Sequence, residues 1–172
     1  MSIFLILGPM QSGKSTELLR LCNRYQLSNK KVLLIKSSTD TRGKFILTHD
    51  KKEKECIVTN NLFDIDENII NEYDVIGIDE CQFFDTIGEF ADKIANSGKV
   101  VILSGLDSDF QRNPFKNITD LVAKAEHVVK LTAICENCGN DASFSKRKDI
   151  NNKNLIDVGS KDKYTSVCRK CF

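Results

Sequence analysis

Ile3-Phe4-Leu5-Ile6-Leu7-Gly8-Pro9-Met10-Gln11-Ser12-Gly13-Lys14-Ser15-Thr16-Glu17-Leu18-Leu19-Arg20-Leu21 is the stretch that decides the fold. A short apolar run leads into a glycine-bounded loop, and the loop opens a helical pattern. Gly8 to Ser15 match G-x-x-x-x-G-K-[ST] at every fixed position, in the strand–loop–helix context that gives the motif its meaning. Glycines let backbone N–H groups close around a phosphate chain, and the helix N-terminus adds partial positive charge. In that geometry Lys14 reaches the β- and γ-phosphates and the Ser15 hydroxyl ligates Mg²⁺. The bland alternative is a glycine turn between a strand and a helix. With both flanks matched, the chain is expected to bind a nucleoside triphosphate through Gly8, Pro9, Met10, Gln11, Ser12, Gly13, Lys14, Ser15 and Thr16.

Outward from this stretch, short β-branched runs alternate with helical periods. Ile3–Leu7, Val32–Lys36, Val75–Asp79, Val100–Ser104 and Val128–Leu131 read as buried parallel strands, with a further short strand at Cys56–Thr59. Ser15–Gln26, Asp64–Asn71, Thr86–Asn96 and Ile118–Ala125 read as helices, with an acidic cap opening the second and Asn117 able to cap the fourth. Such alternation predicts an α/β fold, a parallel sheet with helices on both faces and ligands at the carboxyl ends of the strands. Asp40–Lys54 is polar and without period, a loop or a hairpin. Near residue 132 the character changes, which divides the chain into a phosphate-loop α/β domain (1–132) and a small C-terminal unit (133–172).

Lys+Arg total 25 against 24 Asp+Glu, a formal net charge of +1 over 172 residues. That balance offers no bulk attraction for nucleic acid or an acidic membrane, so neither partner is expected. No run reaches the ~18 apolar residues of a membrane span, and no basic segment precedes the first apolar run. An intracellular, cytoplasmic location is the expectation. Of seven cysteines, Cys22, Cys56 and Cys81 read as small buried hydrophobes.

The other four form Cys135-Glu136-Asn137-Cys138 and Cys168-Arg169-Lys170-Cys171. Two C-x-x-C knuckles supply the four thiolates of a closed structural Zn²⁺ site. Disulfides or a redox pair are the alternatives, disfavoured in a reducing compartment. Such a zinc staples residues 139–167 into a loop and has no catalytic role. Val75-Ile76-Gly77-Ile78-Asp79-Glu80 is an apolar strand ending in two carboxylates. Asp79 fits the acidic residue that holds Mg²⁺ in phosphate-loop enzymes. Glu80, one step on, is expected to point elsewhere by strand alternation and to act on an acceptor hydroxyl or a water. Two solvated acids are the alternative. His49 and His127 lack ligand spacing and are assigned no chemistry.

Together these residues resemble the type II thymidine kinases of animal cytosol, bacteria and large DNA viruses. The resemblance covers nearly the whole chain. It is carried by Gly8-Pro9-Met10 through Leu18, Asp79-Glu80-Cys81-Gln82-Phe83-Phe84, Leu106-Asp107, Phe110 through Phe115, Val129 through Ala133, Ser143 through Arg147, Asp162-Lys163-Tyr164 and Ser166 through Cys171. It implies Mg²⁺-dependent transfer of the γ-phosphoryl group of ATP to the 5′-hydroxyl of thymidine, with Glu80 as catalytic base and Asp79 reaching the metal. Asp40, Arg42 and Gln82 match positions near the nucleotide. The stapled loop, the family's lasso, closes over the base, with Ser145, Leu155 and Gly159 near it. Met10, Leu106 and Tyr164 match the pocket of the thymine methyl, and Phe110 and Phe115 match aromatics near base and sugar. The family is usually tetrameric and inhibited by dTTP.

Four departures stand out from that pattern. Gln11 replaces a usual Phe, Cys81 replaces a usual Gly, Ser104 to Asp109 is more polar than usual, and Asp157 occupies an often apolar lasso position. Asp109 adds a charge close to the expected pocket. Two rival functions remain open on the residues themselves. A nucleoside monophosphate kinase needs an arginine-rich lid, for which only Arg147 and Arg169 offer themselves. A zinc-ribbon ATPase acting on nucleic acid needs a basic, aromatic ribbon.

Overall fold

The first apolar run forms β1 (Ser2–Leu7), and the residues after the glycine loop form α1 (Lys14–Leu27). The chain is described from a computed structural model over residues 1–40, 45–47, 53–149 and 163–172. Beyond α1 come β2 (Val32–Ser37), β3 (Phe45–Leu47), β4 (Glu53–Glu55), β5 (Ile57–Thr59), α2 (Glu67–Asn71) and β6 (Val75–Asp79). Then follow α3 (Ile87–Asn96), β7 (Val100–Gly105), α4 (Lys116–Val122) and β8 (His127–Lys130). The C-terminal unit adds β9 (Ala133–Ile134), β10 (Asp141–Ala142), β11 (Phe144–Arg147) and β12 (Tyr164–Val167).

Six strands make one parallel sheet in the order β5-β2-β6-β7-β1-β8. Alternate strand residues feed two cores, as a sheet covered on both faces requires. Leu5, Ile35, Ile76, Ile78 and Leu103 pack with Ile87, Phe90 and Ile94 of α3 and with Ile118 and Leu121 of α4. Ile6, Leu34, Val75 and Ile102 pack with Leu18, Leu19, Leu21 and Cys22 of α1 and with Ile46 of β3. Each fully buried aliphatic contributes about 1.5–3 kcal/mol over its exposed state. These two layers fix the order β6-β7-β1, and with it the spacing of the loops at the strand ends. Among the described residues no helix is long and apolar enough to cross a membrane.

Several local expectations are corrected. The second helix begins at Glu67, capped by Asp66, whose side chain accepts from Asn68 N at 2.9 Å. Leu62–Asp64, ahead of it, is a separate 3₁₀ turn capped by Asn61. Asn117 does not cap α4. It lies inside the helix, and its Nδ2 donates to the carbonyls of Gln82 and Phe84, tying α4 to the turn after β6. The last strand of the sheet is not buried. All of β8 is exposed, because among the described residues it is an edge strand paired with β1 alone. His127 opens it and stacks on Phe4 at 4.4 Å. Cys22 and Cys81 are buried as expected, whereas Cys56 is only half-buried. Burial pushes the Cys22 thiol up to about 12 and Cys56 to about 11. The Asp40–Lys54 segment contains a hairpin, β3 paired antiparallel with β4. Arg42, His49, Leu155, Asp157 and Gly159 lie outside the described residues.

Candidate active site

Three backbone distortions shape the loop between β1 and α1: Gly8, Gln11 and Gly13 have φ of 149°, 64° and 85°. At Gly8 a Cβ would lie 2.6 Å from Leu131 O and 2.7 Å from Ser12 Oγ, so only glycine fits. Ser12 Oγ and Lys14 Nζ both donate to Pro9 O at 2.8 Å, which holds the loop in a tight ring. Burial pulls Lys14 below the ordinary lysine value, while Glu80, Asp79 and Asp107 pull it back up. A buried cation facing those carboxylates is well placed for a polyanion.

Asp79, at the end of β6, is 3% exposed and held from two sides. Ser15 Oγ donates to its Oδ2 at 2.7 Å, and Ser104 Oγ, from the end of β7, donates to Oδ1. Desolvation and the neighbouring Glu80 raise the Asp79 carboxyl above its usual range, against those two hydrogen bonds and Lys14. A divalent cation held by the Ser15 and Asp79 oxygens would offset that penalty, so this donor set fits a hard ion such as Mg²⁺.

Glu80 diverges from Asp79 for a reason other than strand alternation. The strand has ended, and Glu80 adopts φ 52°, ψ 43°, the left-handed conformation that opens the 3₁₀ turn Cys81–Phe83. Gln82 Nε2 donates to Glu80 Oε2 at 2.7 Å, and Gln82 Oε1 accepts from Leu106 N at 3.0 Å. Gln82 therefore ties the Glu80 carboxylate to the loop after β7. Gly105 permits this close approach, since a Cβ there would lie 2.7 Å from both Cys81 Sγ and Gln82 Oε1. Gly105→Ala is expected to displace Gln82 and slow turnover by up to about 10²-fold, the scale of a misplaced reacting group. Steady-state kinetics on the folded variant check it, and an unchanged kcat would contradict it.

At the end of β2, Lys36 is fully buried and pairs with Asp40 Oδ2 at 3.3 Å, both side chains being at most 6% exposed. Lys36 is also the register partner of Asp79 across the β2–β6 pair. Lys36 is not among the residues expected at the site, although a lysine ending an apolar strand is itself a signal. Phe115 packs, half-buried, against the core beneath α4. In the C-terminal unit, Arg147 stacks over Phe110 at 3.8 Å and donates to Tyr164 Oη at 3.0 Å, bringing two predicted pocket residues together. Met10 and Ser145 also meet, Met10 N donating to Ser145 Oγ at 2.9 Å.

The sulfurs of Cys135, Cys138, Cys168 and Cys171 all lie within 4.8 Å of one another. A tetrahedral zinc with bonds of about 2.3 Å needs sulfurs roughly 3.8 Å apart, and Cys138 and Cys168 are separated by 3.6 Å. Backbone N–H groups, led by that of Cys168, pull Cys135 down to about 6, while contact with the Cys138 and Cys168 sulfurs pushes Cys171 up to about 12. A central divalent cation removes that conflict, so the four residues fit a metal.

Comparison with known proteins shows the family. The family described as Thymidine kinase matches residues 1–172. The chain belongs to the thymidine kinase family. Thymidine kinase 1 of Dictyostelium discoideum is 48% identical over 176 residues, spanning 99% of this chain and 77% of that protein. The Variola virus thymidine kinase is 52% identical over 171 residues, spanning 99% and 96%. That of Amsacta moorei entomopoxvirus is 50% identical over 180 residues, spanning 100% and 98%.

Within the thymidine kinase family, three of this chain's departing residues, Cys81, Ser104 and Asp109, have local explanations. Cys81 is buried where Gly105 leaves room for its sulfur. Ser104 supplies a hydrogen bond to Asp79. Asp109 places no loose charge by the pocket. Its carboxylate accepts from Gln111 N, Asn113 N and Asn113 Nδ2 at 2.8, 2.8 and 3.1 Å, and so caps its own turn. Nothing in the structure explains Gln11.

Proposed function

We propose that this chain is a thymidine kinase that transfers the γ-phosphoryl group of ATP to the 5′-hydroxyl of thymidine. The observation that carries this reading is the meeting of Lys14, Ser15, Asp79 and Glu80 beyond the ends of β1 and β6, on either side of β7, in a chain of this family. Phosphoryl transfer is mostly positioning and charge neutralisation. The loop amides and Lys14 bind the phosphates. Ser15 and Asp79 hold Mg²⁺, which when bound neutralises charge on the β- and γ-phosphates. Glu80, oriented by Gln82, accepts the proton of the attacking hydroxyl. Asp40 and Gln82 line the nucleotide side, to which the family resemblance also assigns Arg42. Met10, Leu106, Phe110, Phe115, Ser145 and Tyr164 line the nucleoside side, with Arg147 bracing Phe110 and Tyr164, and the family resemblance assigns Leu155 and Gly159 to the same side. The four knuckle cysteines hold a structural Zn²⁺ that keeps the C-terminal unit, residues 133–172, folded beside the phosphate-loop domain, residues 1–132. The same cleft fits dTTP as an end-product inhibitor, and family kinship supports a cytoplasmic homotetramer.

Specificity follows from backbone hydrogen bonding to the base. A mismatched pattern leaves buried groups unpaired, a penalty of the ~10⁴-fold class, whereas a missing methyl costs only about 10- to 200-fold. Thymidine and deoxyuridine are therefore both expected to be phosphorylated, thymidine faster, while deoxycytidine and purine nucleosides are rejected. Radiolabel transfer from ATP to a nucleoside panel tests this, and efficient turnover of deoxyguanosine would contradict it.

A further inference from the structure

Both ends of one residue in the phosphate loop are gripped by the C-terminal unit. Met10 N donates to Ser145 Oγ at 2.9 Å, and Ser166 Oγ donates to Met10 O at 2.6 Å. Ser145 and Ser166 are register partners across the antiparallel β11–β12 pair, and they are 5% and 0% exposed. The next residue, Gln11, has φ 64°, a backbone region sparsely populated by residues other than glycine. The preceding residue, Pro9, receives the bonds from Ser12 and Lys14. Ser166 is also anchored to the knuckles. Its carbonyl accepts from Glu136 N at 3.0 Å, between Cys135 and Cys138, and Cys168 follows two residues on.

We propose that Ser166, paired with Ser145, is a positioning residue that presets the phosphate loop for the triphosphate. The idea deepens the ATP-dependent reading above and rests on it. A phosphate loop binds through several N–H groups that must converge before the ligand arrives. Ordering them on binding costs conformational entropy, and a preformed loop avoids much of that cost. The two hydroxyls fix the Met10 backbone at both of its hydrogen-bonding groups, beside the least favourable backbone conformation in the loop. Ser166 acts through Met10 rather than on the phosphates. The C-terminal unit is thereby a support for the nucleotide side as well as a cover for the nucleoside.

Calorimetric titration of the whole protein with Mg²⁺-ATP, without nucleoside, tests the clamp. Ser166→Ala removes one hydrogen bond and is expected to weaken ATP binding by about 3- to 10-fold. The KM for ATP should rise with it, while the KM for thymidine and kcat at saturating ATP change much less. A generally loosened fold would move all three. A folded Ser166→Ala variant with wild-type ATP affinity overturns the proposal. If that variant does not fold, Ser166→Cys keeps the volume with a weaker donor, and the same comparison decides. Wild-type protein that binds no ATP would overturn the parent reading, whereas equal binding by wild type and variant overturns only the clamp.

Discussion

Glu80→Gln is expected to lower kcat for thymidine by ~10²–10⁴, the usual cost of losing a general base. In barrier terms that is roughly 3–5 kcal/mol. The substitution keeps the size of the side chain and can keep a hydrogen bond to Gln82, whose Nε2 now donates to Glu80 Oε2. It cannot take a proton. ATP affinity should change little, because Lys14 and the loop amides bind the phosphates in this account. Asp79→Asn behaves differently. It disturbs the carboxylate bonded to Ser15 and Ser104, so turnover should require more Mg²⁺. Steady-state kinetics and ATP binding on both variants separate the two roles. Near-normal turnover by Glu80→Gln, with Asp79→Asn alone abolishing it, would mean that the base is misassigned.

The second large effect concerns the knuckles. The purified protein is expected to carry about one Zn²⁺ per chain on Cys135, Cys138, Cys168 and Cys171. Cys138→Ser should lose that metal and lower the local stability of the C-terminal unit by roughly 4 kcal/mol or more, the range reached when a metal site is lost. Among the described residues the buried apolar cluster there is small, Ala133, Cys135, Ala142 and Val167 with Phe144 and Phe172 packed against it, too little to replace the metal. Hydrogen exchange should speed up in β9–β12 while β1, β6 and β7 stay protected. Elemental analysis finding no zinc in the wild type, with all four thiols freely titratable, would sink the idea.

The sequence showed most of the large domain because its signals are local and strong. Val75–Asp79 reads as a buried strand and is buried at every position, since it is central and covered on both faces. Ile87, Phe90, Ala91 and Ile94 were readable as one helix face and pack as one. The glycine loop was readable from its fixed residues. Other features depend on contacts that no local pattern encodes. The strands β9–β12 are two to four residues long, too short for a period to emerge. Val128 and Val129 look like core residues, yet the sheet ends at β8 and leaves them exposed. Asp64 reads in sequence as the acidic residue that opens the second helix, but a separate 3₁₀ turn ends there and Asp66 caps α2 instead.

Within the candidate site, the chemically specific residues were legible and their supports were not. Lys14, Ser15, Asp79 and Glu80 were found by type and spacing. The reason Glu80 turns away, its left-handed backbone, is not visible in the letters. Gln82 was placed near the nucleotide, and its bonds to Glu80 and Leu106 emerge only in three dimensions. The Lys36–Asp40 pair needs burial to be noticed. The grip of Ser145 and Ser166 on Met10 spans 135 and 156 residues of sequence, which no motif can span.

ATP and a nucleoside are proposed to meet in this cleft, with a sugar hydroxyl as the acceptor. The most direct test incubates the purified protein with Mg²⁺ and γ-labelled ATP in three parallel reactions, containing thymidine, thymidylate or single-stranded DNA. Label is expected in the 5′-monophosphate of thymidine, with thymidylate not phosphorylated further and DNA leaving ATP hydrolysis unchanged. Label passing to thymidylate while thymidine stays unlabelled, or ATP hydrolysis that rises only with DNA, would contradict it.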